Sequence, residues 1–515
     1  MKYFLLLVAT LLSIQLVAPV NTTYAAAKDP SFRGQNGYGL SFGGGWTGAD
    51  ETQTEELLNA TDDVGAGWVR LDVFWAYMQP NNSSDTSWAD TDNAIAAAKA
   101  HNKRVLLLVH TTPEWARPVG APSGSAGDKY APTDTNDYAS FFSKVVKRYS
   151  KQGIKDYEIW NEPNISAFWK DTVANPNPNP IRYTELLKRA ATAGRAVDSS
   201  INIVTAGLSP AGDSPSSVAP RTFLNSIYSN GGKSSFNAVG MHPYSYPFLP
   251  SHDREWNAWQ QMNKTSFDNG NITQDSLRSI MITNGDSAKK IWITEYGAPT
   301  SGNPDSVTET EQQAILEEAI NLHGSYDWVG PMFIFTMFDF QPYGSSADRE
   351  DYFGIKHSDG SNKLAYASLK NLIKDTTLPN IDSSGIEKTK RGIRLRVTPS
   401  DNVGVTRIEL LIDNKIIRNI DSSYLGYFIK YADYASGSRH TYQINAFDAA
   451  GNTASTSKFQ FDVPQPASAN GTELKPPNTG FRSSQGFSYT LVSLIVASLL
   501  MLIASVRYMR RSRHT

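Results

Sequence analysis

Short apolar runs recur along the first three-quarters of the chain, each followed by a longer stretch with apolar residues three and four positions apart. The runs fall at 37–42, 68–74, 104–110, 157–160, 201–206, 238–241, 291–294 and 332–335. The intervening stretches, such as 138–149, 183–197 and 309–323, carry the helical period. Buried strands alternating with amphipathic helices predict parallel strands wrapped by helices, and eight such units predict an α/β fold of the (β/α)8 barrel type. The barrel is expected over residues 28–374.

The period changes after residue 374. Short strands at 393–398, 406–412, 415–419 and 440–447 are separated by turn-rich Asp401-Asn402-Val403-Gly404-Val405 and Asp448-Ala449-Ala450-Gly451-Asn452. Alternation with regular turns predicts a β-sandwich over 375–463. It resembles the Ig-like modules appended to bacterial surface enzymes. That resemblance implies a spacer in the first place and carbohydrate binding in the second. Residues 464–486 are rich in Pro, Ser, Gly and Asn and read as a stalk.

Both ends read as targeting segments. Lys2, an apolar run over 5–17 and Ala25-Ala26-Ala27 predict a signal peptide over 1–27. Residues 487–506 are mostly apolar and uncharged, long enough to cross a bilayer as a helix. Arg507, Arg510, Arg511 and Arg513 follow, which places the basic tail, 507–515, in the cytoplasm and the main body outside. Lys475-Pro476-Pro477-Asn478-Thr479-Gly480 resembles the sorting signal of sortase-anchored proteins, with Pro476 where that family has Leu. Attachment to the cell wall through Thr479 and a plain single-pass membrane anchor both stay open. The expected location is the cell surface.

Composition narrows the partner. The 515 residues carry a formal charge of -2, and no basic block lies outside the last few residues, which argues against nucleic acid. The 24 Tyr and 11 Trp suit sugar binding, though aromatics also fill cores. No Cys is present, so the domains have to fold on their cores without disulfides.

Two apolar runs end in glutamate: Asp156-Tyr157-Glu158-Ile159-Trp160-Asn161-Glu162-Pro163-Asn164 and Ile291-Trp292-Ile293-Thr294-Glu295-Tyr296-Gly297-Ala298-Pro299. Three strand–helix units of roughly 40 residues fit between them, so Glu162 and Glu295 are expected after strands four and seven. On one barrel rim they form a pair of carboxyl groups, the minimum for cutting a glycosidic bond. One donates a proton and the other acts as nucleophile or base, which requires a protonated and an ionised group side by side.

These two motifs resemble the signature strands of a large clan of retaining β-glycosidases that includes glycoside hydrolase families 5 and 39. The resemblance covers most of residues 37–374. It implies Glu162 as acid/base, Glu295 as nucleophile and Asn161 on the sugar 2-hydroxyl. It implies Arg70 beside the nucleophile, His110 near the sugar, Tyr244 on the nucleophile and His242 near the sugar. The clan often has Trp on strand eight. Here the run is Phe333-Ile334-Phe335-Thr336-Met337-Phe338, so Phe335 or Phe338 is expected to supply the stacking face. Trp46, Trp75, Trp115 and Trp169 are further stacking candidates, with core packing as the alternative for about half of them. Glu114 is weighted as structural. No cofactor is expected, and neither metal-ligand spacing nor a phosphate-cradling loop is found. The expectation is hydrolysis of a β-linked poly- or oligosaccharide. A transglycosylase and a non-catalytic carbohydrate-binding surface protein stay open beside it.

Overall fold

The computed structural model describes residues 32, 34–46, 49–253, 256–263, 275–301, 306–420, 422–448 and 450–465. The expected signal peptide, the stalk from residue 466, the sorting motif, the apolar span and the basic tail lie outside these residues. So does the side chain of Trp46. Among the described residues no helix is long and apolar enough to cross a membrane.

Eight strands close a parallel barrel in chain order: β1 (Tyr38–Ser41), β2 (Trp68–Phe74), β3 (Arg104–His110), β4 (Asp156–Ile159), β5 (Asn202–Thr205), β6 (Ala238–Met241), β7 (Lys290–Tyr296) and β8 (Val329–Phe335). Strand β1 closes the ring on β8, with Leu40 opposite Ile334. Around it run α1 (Glu51–Val64), α2 (Trp75–Met78), α3 (Ala89–Ala100), α4 (Thr135–Tyr149), α5 (Pro180–Val197), α6 (Pro220–Ser229), α7 (Ala258–Asn263), α8 (Leu277–Thr283), α9 (Glu309–Ser325) and α10 (Leu364–Lys374). Local sequence starts these helices. Asp50 with Gln53, and Thr308 with Glu311, form capping boxes on α1 and α9. Asn179 caps α5 ahead of Pro180 in the first turn.

Strand alternation sorts the side chains. Val69, Leu71 and Val73 of β2 join the large core shared with the helices. Inside the ring, Trp68, Leu106, Val204, Ala238, Trp292 and Phe333 form a separate apolar cluster. Arg70 follows Trp68 by two positions and Thr294 follows Trp292 by two, so the next interior layer is polar.

Beyond α10 the chain forms two antiparallel sheets. One holds β9 (Ile386–Thr389), β10 (Gly392–Val397) and β13 (Leu425–Lys430). The other holds β11 (Val405–Ile412), β12 (Lys415–Ile420), β14 (Arg439–Asp448), β15 (Thr453–Ser455) and β16 (Phe459–Asp462). Strands β9, β13, β15 and β16 were not legible as strands in the sequence pattern; each is short, and their exposed positions interrupt the apolar run. Leu395, Leu410, Leu425 and Ile444 belong to one core between the sheets. The hairpin β11–β12 turns at Asp413 and Asn414, both at positive φ (50° and 65°), the backbone that such a two-residue turn requires.

The second sheet also packs on the barrel. Strand β11 lies against α9. Its Arg407 and Glu409, on the face opposite Leu410, are 1 % and 2 % exposed and pair at 2.6 Å. The side chain of Asn452 donates to Asp375 just after α10, and Gly34 N–H donates to Ala450 O.

Candidate active site

Glu295 lies within β7, and backbone irregularity turns it inward. Thr294 and Glu295 are consecutive, so strict alternation would send one of them outward. The register of β7 on β8 shifts between Ile293 and Tyr296, and both side chains reach the interior. A bulge of this kind re-aims a side chain at the end of a strand. Glu162 lies three residues beyond the end of β4. Trp160 and Glu162 both have positive φ, 73° and 42°. That conformation costs roughly 1–2 kcal/mol per non-glycine residue and is tolerated where the surroundings over-determine it. Those surroundings include Gly207 O, which accepts from Glu162 N–H, and the buried Trp160 indole, which donates to Phe168 O.

The two carboxyl groups meet. One oxygen of Glu162, one of Glu295 and a ring nitrogen of His242 all lie within 4.8 Å of one another. His242 Nδ1 is 2.8 Å from Glu162 Oε1 and 3.4 Å from Glu295 Oε2. Glu295 Oε1 accepts from Arg70 Nη1 at 2.5 Å, and its Oε2 accepts from the Tyr244 hydroxyl at 2.9 Å. Both oxygens of Glu295 thus face donors. Asn161 Oδ1 accepts from Arg70 Nη2 at 2.8 Å, so its amide N–H2 is the end left to offer a ligand.

Electrostatics follow from burial. Arg70 is 1 % exposed. Burial alone would favour losing its charge, but Glu158, Glu295 and Asp72 outweigh that and hold it charged. Burial pulls His242 down, yet Glu295 and Glu162 pull harder, and the imidazole is held above its ordinary range. Burial first, and Glu295 beside it, keep the Tyr244 phenol protonated well beyond its usual range.

Glu158, Thr294 and Gly207 complete the site, and motif reading assigns them no role. Glu158 is fully buried and accepts from Arg70 Nε at 2.6 Å, Gly207 N–H at 2.8 Å and the Thr294 hydroxyl at 2.9 Å. A signal was available for Glu158: it shares β4 with outward Tyr157 and Ile159, so alternation turns it inward.

The remaining candidates sit elsewhere. His110 Nε2 is 3.1 Å from Asp72 Oδ1 and its ring lies against Phe74; burial pulls its pKa down. Its contacts are with Asp72 and Phe74 of β2, and the charges of Lys129 and Arg70 also reach it. Trp115 donates to Gln79 O and packs edge-on against Trp75, so it braces the rim. Trp75 and Trp169 are fully buried and belong to the core, which removes them as stacking faces. Phe338 is also misplaced for stacking. It pairs with Lys356 in a groove lined by α1 residues and Tyr366, because the chain has turned outward after β8. Phe335 is connected to the site, through Phe353 at 5.4 Å, which is 5.7 Å from Tyr244. Glu114 accepts from Gly124 N–H and has a structural place in the loop after β3.

Among the described residues one further group brings three such side chains within 4.8 Å: Asp375, Asp401 and Asp448, where β14 approaches the end of α10. Asn402, Asn452 and the Val403 N–H donate to these carboxyls.

Solved structures with a similar fold include the following two. A family 39 glycoside hydrolase from the gut symbiont Bacteroides cellulosilyticus WH2 matches with a TM-score of 0.51 and 18% identity, over 79% of this chain and 81% of that one. A monomeric beta-xylosidase from Caulobacter crescentus CB15 matches with a TM-score of 0.50 and 15% identity, over 82% of this chain and 76% of that one. No curated protein matches the chain. The model of the cellulase family, glycosyl hydrolase family 5, matches residues 25–329. That span carries the first seven strands of the barrel and both glutamates, and it shows that this chain belongs to glycosyl hydrolase family 5 and is a glycoside hydrolase.

Proposed function

We propose that the protein is a retaining glycosidase that cleaves a β-linked poly- or oligosaccharide by double displacement, with Glu162 as acid/base and Glu295 as nucleophile. One observation carries this reading: the closest carboxyl oxygens of the pair lie within 4.8 Å. Inverting enzymes keep their carboxyl groups roughly 6.5–9.5 Å apart to leave room for a water, whereas retaining ones hold them about 5–5.5 Å apart. In the first step Glu295 attacks the anomeric carbon while Glu162 protonates the departing oxygen. In the second, Glu162 removes a proton from water, which displaces Glu295. Arg70 and Tyr244 hold Glu295 at the attacking position, and Asn161 offers its amide to the sugar 2-hydroxyl.

A 2-deoxy-2-fluoro β-glycoside with a good leaving group tests the assignment. It is expected to add one sugar mass to Glu295, read by mass spectrometry of the peptide; label on another residue, or none, overturns it. Glu295→Gln is expected to abolish turnover. Glu162→Gln is expected to lose about 10²–10⁴-fold on an unactivated aryl glycoside and far less on a dinitrophenyl glycoside, which needs no proton. Equal losses on both would move the acid elsewhere. Product analysis with added acceptor sugars separates hydrolysis from transfer.

The proposed site of action is the cell surface. The support is the leader-like start, the apolar segment at 487–506 and the arginines after it. Protease treatment of intact cells is expected to release the catalytic domain; protection of that domain until lysis would contradict it.

A further inference from the structure

Below the catalytic pair, four side chains form one hydrogen-bonded line. Glu158 accepts from Arg70 Nε on Oε2, and from Gly207 N–H and Thr294 Oγ1 on Oε1. A carboxylate receiving donors at both oxygens accepts from Thr294 rather than giving to it. The single hydrogen of the Thr294 hydroxyl therefore points at Glu158. Its oxygen lies 3.0 Å from His242 Nε2, and in that contact it can only accept. The hydrogen of the imidazole is thereby placed on Nε2. Nδ1, on the other edge of the ring, faces Glu162 Oε1 at 2.8 Å. Glu295 is further from Nδ1 and already has Arg70 and Tyr244 as donors.

We propose that Thr294, backed by Glu158, is a positioning residue that fixes His242 as the Nε2–H tautomer, so that Nδ1 and Glu162 share one proton. With the proton on Glu162 the acid is ready and Nδ1 accepts from it. With the proton on Nδ1 the pair is an imidazolium beside a carboxylate. Glu162 gives this proton to the departing oxygen as the anomeric C–O bond breaks and the bond to Glu295 forms. It regains one from water as the bond to Glu295 breaks. The Nε2 hydrogen takes no part. This role rests on the reading of Glu162 as acid/base.

The surroundings of the ring agree with a shared proton. The charged and titratable groups facing His242 are Glu162 after β4, Glu295 on β7, Arg70 on β2 and Tyr244 after β6. The two carboxyls raise the affinity of the ring for a proton, against burial and Arg70. Gly207 closes the remaining side: a methyl group there would collide with both His242 Nε2 and Thr294 Oγ1. The backbone is thus pressed against the His242–Thr294 hydrogen bond.

Two measurements test the role. The first is the pH dependence of kcat/KM on phenyl β-glucoside or phenyl β-xyloside, whose leaving group needs the acid. Without the threonine hydroxyl, neutral His242 is free to carry its hydrogen on Nδ1 and donate to the Glu162 carboxylate. Thr294→Val is therefore expected to move the basic limb about one pH unit lower, and Thr294→Ser to restore it. A lower rate with unmoved limbs would mean that Thr294 only packs. The second is nitrogen-15 NMR of the imidazoles in the full-length wild-type enzyme, which needs neither turnover nor a folded valine variant. The His242 signal, assigned by its loss in His242→Gln, is expected to show the Nε2–H tautomer when neutral; an Nδ1–H tautomer would overturn the proposal. That readout stands apart from the acid/base assignment, which the Glu162→Gln rates test.

Discussion

Arg70 shows how much of the site depends on one planar cation. Its guanidinium donates to Glu158, Ser41, Glu295 and Asn161, four residues on or just beyond three different strands. A guanidinium suits this because its donors are fixed in a rigid fork; an ammonium has no such geometry. Asp448 is the opposite case, a carboxyl set beside two others, Asp375 and Asp401. Burial pushes it up to about 6, the hydrogen bonds from Asn452 work against that, and Asp401 and Asp375 push it further up. Its folded pKa exceeds the ordinary carboxyl value of roughly 3.9. Its contribution to stability is therefore complete below about pH 4 and is lost as pH rises through about 6. Urea titrations at pH 4 to 7 should show the wild type losing stability relative to Asp448→Asn over that window. Parallel curves would refute this. Residue types with a chemistry of their own, Glu162, Glu295, Arg70 and Tyr244, could be read from motifs. Thr294 and Gly207 could not, because their role is a contact with a residue far away in sequence.

At the scale of elements, the strands of the barrel were legible where they are continuous apolar runs. The strands β2, β3 and β6 occupy the positions that the hydrophobic pattern marks. What alternation could not show is where it breaks. The bulge in β7 and the left-handed residues after β4 aim the two glutamates, and neither leaves a signature in hydrophobicity. The start of the loop after β5 is as constrained as these. Gly207 N–H donates to Glu158, its carbonyl accepts from Glu162, and a side chain there would meet the His242–Thr294 contact. Gly207→Ala is expected to displace His242 and Glu162 and to lower kcat/KM by about 10²-fold on aryl glycosides. Activity within twofold of wild type would show that the neighbours yield without effect.

At the scale of the molecule, the β-rich domain is more than an appendage on a connector. Strand β11 has Leu410 in its own core and buries Arg407 and Glu409 on the opposite face, where it lies against α9. A strand buried on both faces holds together what it separates. A chain ending at residue 374 is expected to melt roughly 5 °C or more below one ending at residue 464, because the α9 face would be exposed. Equal melting temperatures would show that the contact with α9 adds no stability to the barrel. A screen of aryl β-glucosides, β-xylosides and β-mannosides for the preferred sugar is accordingly best run on the longer chain.

Period and spacing along the chain determine the barrel, the β-rich domain after it and the pair of glutamates, because each is written in local alternation or in short motifs. Tertiary structure alone decides how close the carboxyls come, which aromatic residues are core and which nitrogen of His242 faces Glu162. Those depend on a bulge, on left-handed backbone and on hydrogen bonds between strands far apart in sequence. The chain encodes them through the closure of the ring, where eight separate segments become neighbours at once.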